Sequence, residues 1–159
     1  MDIRINSQDG NFKFRVCGIL KYKDKFLVVK INDSKFYCLP GGHVEIGEDT
    51  ETAVKREMRE ELGYEIKIDR LVSIDQNFFI GNDGKNFHEL GFYYLVEAKD
   101  ERDINPNDYL RDELDNGNLI HFSFKWCTRE ELKKLDLRPR YIADCIDLAE
   151  PRLEVTRDD

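Results

Sequence analysis

The chain has 159 residues and a formal net charge of −8, with 33 Asp and Glu against 25 Lys and Arg. That length suits one domain, residues 1–159, with a sizeable core. A hydrophobic share of 40%, with 10 Phe and 7 Tyr, argues against disorder despite 36% charged residues. The acidic balance speaks against a protein that holds long nucleic acid, since neutralising phosphates needs a basic surface. A small phosphorylated ligand stays compatible, because a metal ion and a few local Arg or Lys residues can reverse the sign within one pocket.

Cys17, Cys38, Cys127 and Cys145 show neither zinc-type spacing nor a disulfide framework, and read as free thiols in a reducing cytosol. Residues 1–10 lack the apolar core of a signal peptide, and no apolar run approaches spanning length. The expected location is cytoplasmic, with no membrane partner.

Phe12 to Leu20 alternates as a strand and Lys25 to Ile31 as a second, joined by a turn with Asp24 at its tip. Asn32 to Lys35 is a further turn, and a short apolar run from Phe36 to Leu39 stops at Pro40-Gly41-Gly42. Those glycines free the backbone to curl towards a ligand.

Gly42 to Tyr64 then opens a helix. Asp49 or Thr50 can cap it, Glu51 suits its positive end, and Gly63 can close it. Val54, Met58 and Leu62 form an anchoring stripe. At about 100° per residue, Glu57, Glu60 and Glu61 share one face. Three carboxylates on one face repel one another, and a hard divalent cation such as Mg²⁺ gives a reason for gathering them. A solvated acidic face is the duller reading, and for an isolated Glu-rich helix it would be the better one.

After the helix, Glu65 to Gln76 reads as a strand continued by Phe78 to Ile80, then a loop with Gly81 and Gly84. His88 to Ala98 is a strongly β-prone return strand. Lys99 to Gly117 is irregular and reads best as a solvated loop. Ile120 to Trp126 is another strand candidate. Thr128 to Glu131 is a capping box opening a helix from Glu130 to Leu135. Arg140 to Ala149 is expected as a final amphipathic helix after Pro139, and 150–159 as a frayed polar tail. This order suits an α+β arrangement.

The helix segment fits the pattern G-x5-E-x7-R-E-U-x-E-E-x-G-U, with U a bulky apolar residue, at Gly42, Glu48, Arg56, Glu57, Met58, Glu60, Glu61, Gly63 and Tyr64. From average residue usage, a chance match per starting point is on the order of one in a hundred million. This is the Nudix box, and the chain resembles a Nudix hydrolase. The resemblance implies an α/β/α sandwich with a mixed central sheet and metal-dependent hydrolysis of a diphosphate bond, in a nucleoside diphosphate derivative or a nucleoside triphosphate. It implies Mg²⁺ or Mn²⁺ held by Glu57, Glu60, Glu61 and the Gly42 carbonyl, and a small nucleotide-type substrate. Many relatives dimerise, which keeps a homodimer among the expectations.

The resemblance implies an ion pair between Glu48 and Arg56 that fixes the loop over the metal site, with a water-mediated metal contact for Glu48 and a direct phosphate contact for Arg56 as the alternatives. The general base stays open among Glu60, Glu61 and, outside the box, Glu89. His88 and Glu89 otherwise read as a solvated strand end, and His43 as a loop bystander. Phe87 is the aromatic best placed to stack on a base, although aromatics at strand spacing are more often core. Two other classes compete. A Nudix-like nucleotide sensor without turnover has no need of a repelling carboxylate cluster. A nucleic-acid module around Arg129, Lys133, Lys134, Arg138 and Arg140 lacks a basic, aromatic-interleaved face.

Overall fold

A computed structural model describes residues 1–158. In chain order it contains β1 (Arg4–Asn6), β2 (Asn11–Tyr22), β3 (Lys25–Ile31), β4 (Gly41–His43), α1 (Thr50–Leu62), β5 (Ile66–Ile80) and β6 (Asn86–Ala98). A single 3-10 turn (Glu101–Asp103) precedes β7 (Tyr109–Asp115), β8 (Asn118–Thr128), α2 (Arg129–Lys134), α3 (Ile142–Cys145) and β9 (Arg152–Asp158). The strands form one sheet in the order β7-β8-β3-β2-β6-β5-β9, with β1 and β4 also paired to β2. β2 runs parallel to β6 and β5 parallel to β9, while the remaining pairs are antiparallel. The sheet is therefore mixed, as expected.

Alternation along the strands sends side chains to two faces. Val16, Leu20, Tyr94 and Val96 pack against Val54 and Met58 of α1. Cys17, Ile19, Tyr93 and Leu95 pack with Leu132 of α2 and Ile142 and Cys145 of α3. Helices thus cover both faces, giving the α/β/α layering. Gly18 of β2 lets α1 approach closely, because a Cβ there would collide with the Met58 side chain. The helix begins where Asp49 accepts a hydrogen bond from the Thr52 amide at 2.7 Å and ends at Gly63, whose amide donates to the Arg59 carbonyl.

Three expectations need correction. The segment read as a loop contains β7, a hairpin partner of β8 turned by Asn116 (φ 48) and Gly117 (φ 80). Its leucines are exposed, Leu110 at 80% and Leu114 at 72%, so no buried alternation announces it. The final helix is only Ile142–Cys145, because beyond Ile146 the chain offers Asp147 and a half-exposed Leu148 before Pro151, which leaves no apolar face to extend. The expected frayed tail instead supplies β9 along the edge of β5, with Thr156 anchored to Asp75 and Asn77. Asp159 lies outside the described residues. Among those described, no helix is long and apolar enough to cross a membrane.

Candidate active site

Arg56 is the hub. Its Nε donates to Glu48 Oε2 at 2.8 Å and its Nη2 to Glu48 Oε1 at 2.9 Å, a two-pronged pairing. The remaining donors reach Glu57 at 2.9 Å, Glu60 at 3.2 Å and the His43 carbonyl at 3.0 Å. Glu48 in turn accepts from the Glu45 amide at 3.1 Å. One guanidinium thereby ties the loop before α1, the helix and β4 together. Those bonds hold the Glu48 carboxyl below its ordinary range.

The glycines expected as a turn lie instead in β4, where they are fitted to the carboxylates. A Cβ on Gly42 would overlap the Glu57 carboxylate, and one on Gly41 would meet the Val16 carbonyl. Burial raises the Glu57 pKa against the pull of Arg56. Burial, with the Glu57 charge adding to it, pushes Glu61 up to about 7, although Arg111, Arg15 and the Gly41 amide favour its ionised form. Arg111 of β7 also donates to the backbone carbonyl of Glu61 and lies over the Phe122 ring at 4.8 Å, bracing the end of α1.

A second group of side chains lies on the neighbouring sheet face. In register across β2, β6 and β5 stand Arg15, Gly91 and Asp75, then Lys13, Glu89 and Asn77, then Asn11, Phe87 and Phe79. Glu89 is only 8% exposed, with its carboxylate 3.9 Å from Arg15. Phe87 stacks on Phe79 with ring centroids 5.0 Å apart, and the Lys13 amine lies 4.7 Å from the Phe87 ring centre. Asp75, 1% exposed, accepts from Thr156 of β9. Burial pushes its carboxyl up to about 6, against the Thr156 bond.

The structure thus gathers Gly42, Glu48, Arg56 and Glu57 in direct contact, with Glu61 beside Gly41. Glu60 sits at the rim, its side chain 60% exposed and bonded to Arg56. Glu89 is no solvated strand end but a buried carboxylate. Its neighbour His88 points to the other face and stacks on Phe78, centroids 4.4 Å apart. The contributions of Arg15 and Arg111 were missed from the sequence. A charge inside an alternating apolar strand marks Arg15, whereas Arg111 sits in the segment read as a loop. Burial pushes the Cys17 thiol up to about 12 and that of Cys38 to about 11, which makes both poor nucleophiles.

Among the described residues no three His, Cys, Asp or Glu side chains are already placed as a metal cage. The ready donors are the Glu57 and Glu61 carboxylates beside a glycine backbone. This sparse, all-oxygen set suits Mg²⁺, which retains several waters. The raised pKa values of both carboxyls are the mark of a site where added positive charge would be welcome.

The chain is similar to several known proteins. The chain is 28% identical over 131 residues to the nucleoside triphosphatase NudI of Escherichia coli O81 (strain ED1a), covering 74% of this chain and 92% of that protein. It is 40% identical over 62 residues to an ADP-ribose pyrophosphatase of Methanocaldococcus jannaschii, 37% of either chain. Among solved structures, a NUDIX hydrolase from Nitrosomonas europaea matches with a TM-score of 0.59 at 15% identity, over 96% of this chain and 81% of that one. A MutT NUDIX hydrolase from Burkholderia pseudomallei also reaches 0.59, at 22% identity over 85% and 98%. The family described as the NUDIX domain matches residues 12–145, most of the chain and every box residue from Gly42 to Tyr64, so the protein belongs to the Nudix hydrolase family.

Proposed function

We propose that the protein hydrolyses a diphosphate bond in a nucleoside triphosphate or a nucleoside diphosphate derivative, using Mg²⁺ or Mn²⁺. The observation that carries this reading is the pair of half-buried carboxylates against the Gly41-Gly42 backbone, Glu57 tied to the Arg56 hub and Glu61 facing the Gly41 amide. Glu57, Glu61 and the Gly42 carbonyl would hold the cation, and Glu60 can join them by swinging off Arg56. Such an ion, when bound, withdraws charge from a phosphate and lowers the pKa of a water.

The chain's own residues do the rest. Arg56 and Glu48 keep the loop in place, so that the carboxylates need not reorganise during reaction. Glu89, buried and, among the described residues, bonded to nothing closer than Arg15 at 3.9 Å, is the carboxylate available to accept a proton from the attacking water. The Phe87–Phe79 stack on the same sheet face offers a surface for the base. Nucleoside triphosphates head the substrate panel, because the match to the triphosphatase runs over most of both chains while that to the ADP-ribose enzyme covers 37% of either. Four free cysteines fit a cytoplasmic protein.

The test is hydrolysis of a diphosphate panel in ¹⁸O-water. Label should enter one phosphate product only, chelator should abolish turnover, and Mg²⁺ or Mn²⁺ should restore it. Run alongside, Glu89→Gln should lower kcat with little change in KM. Tight nucleotide binding with no labelled product across the panel would sink the enzyme reading and leave a sensor.

A further inference from the structure

We infer that Arg15 and His43 form an anion seat beside Glu57 and Glu61, and that it takes a phosphate group of the substrate adjacent to the one attacked. This rests on the diphosphate reading above but can be tested apart from it. Arg15 of β2 and His43 of β4 are cross-strand partners, one register position from the Val16–Gly42 pair. Directly opposed residues share a face, so the guanidinium and the imidazole stand side by side.

Both are short of partners. Arg15 Nε and His43 Nε2 are buried and, among the described residues, neither makes a hydrogen bond. Leaving a buried donor unpaired is costly, so two such atoms at one cross-strand pair ask for a ligand. The contrast with Arg56 is direct. Arg56 donates to three carboxylates and a carbonyl at 2.8–3.2 Å, whereas the carboxylate nearest Arg15, that of Glu89, is 3.9 Å away. His43 Nδ1 faces Asp2 at 3.6 Å, which leaves the other side of the ring uncommitted.

The Arg15–His43 pair adjoins the Val16–Gly42 pair, and Gly42 lies against the Glu57 carboxylate. A phosphate bound there would therefore lie next to the carboxylates proposed to hold the cation. The planar fork of Arg matches two oxygens of a phosphate at once. In a chain of net charge −8, this cation with Lys13 on the same face makes the sign change that an anionic substrate requires.

The experiment is calorimetric binding of methylenediphosphonate, a diphosphate mimic that cannot be hydrolysed, in the presence of Mg²⁺. Arg15→Gln should weaken binding about tenfold to a hundredfold, the range for loss of a charge-assisted hydrogen bond. His43→Gln should weaken it less, about threefold. Mg²⁺ binding without the diphosphonate should be unchanged or tighter in Arg15→Gln, because a repelling charge has gone. Arg15→Lys keeps the charge without the fork and guards against simple misfolding. It should remain folded, with an affinity between those of wild type and Arg15→Gln.

The inference is overturned if folded Arg15→Gln binds the diphosphonate as wild type does. An equal loss of Mg²⁺ binding overturns it too, since Arg15 would then be bracing the carboxylates. Should the wild type hydrolyse no diphosphate while Arg15→Gln still loses the diphosphonate, the activity reading falls and the anion seat stands.

Discussion

Two regions meet at this site and are held by opposite means. The Gly42–Gly63 segment is local, since Arg56 reaches no farther along the chain than the His43 carbonyl, 13 residues away. The sheet face bearing Arg15, Glu89 and Asp75 is assembled from distant strands, and the Thr156–Asp75 bond spans 81 residues. Local contacts survive changes elsewhere in the molecule. A face built from paired strands depends on register, and a slip of one residue would send every one of its side chains to the other side. The carboxylates proposed to hold the cation sit on the local element, and the proposed base and anion seat sit on the assembled one.

That contrast can be broken at its local end first. Glu57→Gln or Glu61→Gln should cost turnover more than a hundredfold, exceeding the range seen when only the support of a metal ligand is lost. Thermal stability without metal should stay level or rise, since one of several repelling charges is gone. A variant that kept wild-type turnover would remove the carboxylates from the mechanism.

Arg56→Gln should come next. It leaves Glu48, with a side chain only 12% exposed, without its guanidinium partner. The concentration of Mg²⁺ for half-maximal activity should rise about tenfold to a hundredfold. Stability should drop by about 1–3 kcal/mol, as for other buried groups left unpaired. An unaltered Mg²⁺ requirement would show that the loop does not need its hub.

The effect at the assembled face appears as a pH dependence of stability. Asp75 titrates near 3.8 when exposed and at about 6 when folded. Between those values the folded protein keeps a proton that the unfolded chain gives up. Stability therefore falls as pH rises through that window, and the whole cost is present above about pH 6. Asn at this position carries no charge to bury. Asp75→Asn should raise the Tm at pH 8 by about 9 °C, corresponding to about 3 kcal/mol, and the gain should vanish near pH 4. Melting curves at the two pH values check it, and an equal gain at both would exclude titration as its cause.

The same division decides what could be read from the sequence. The cap at Asp49, the stop at Gly63 and the Lys25–Ile31 strand follow from neighbours along the chain, the Glu48–Arg56 pairing follows from the resemblance of the box motif, and the structure has all four. Arg15 was visible only as one charge in an alternating strand. Its place opposite His43 and near Glu89 depends on which strands flank β2, and no residue of β2 encodes that. β7 hid behind exposed leucines and charges, although Asn116-Gly117 is a hairpin signal in its own right. β9 was read as a tail because its alternation is polar on one side and solvent-facing on the other, with Leu153 81% exposed. Only the free edge of β5 gives it a partner.

The Arg56 hub also bears on when the cation arrives. In small zinc domains the chain cannot order itself until the metal draws its ligands together, so folding and loading are one event. Here a side chain of the protein already bridges the loop, the helix and β4 through Glu48, Glu57 and the His43 carbonyl. On the metal-dependent reading proposed above, assembly of the pocket would not wait for its loading: the chain's own donors and acceptors join the loop, the helix and β4, and an ion could come and go without taking that scaffold apart.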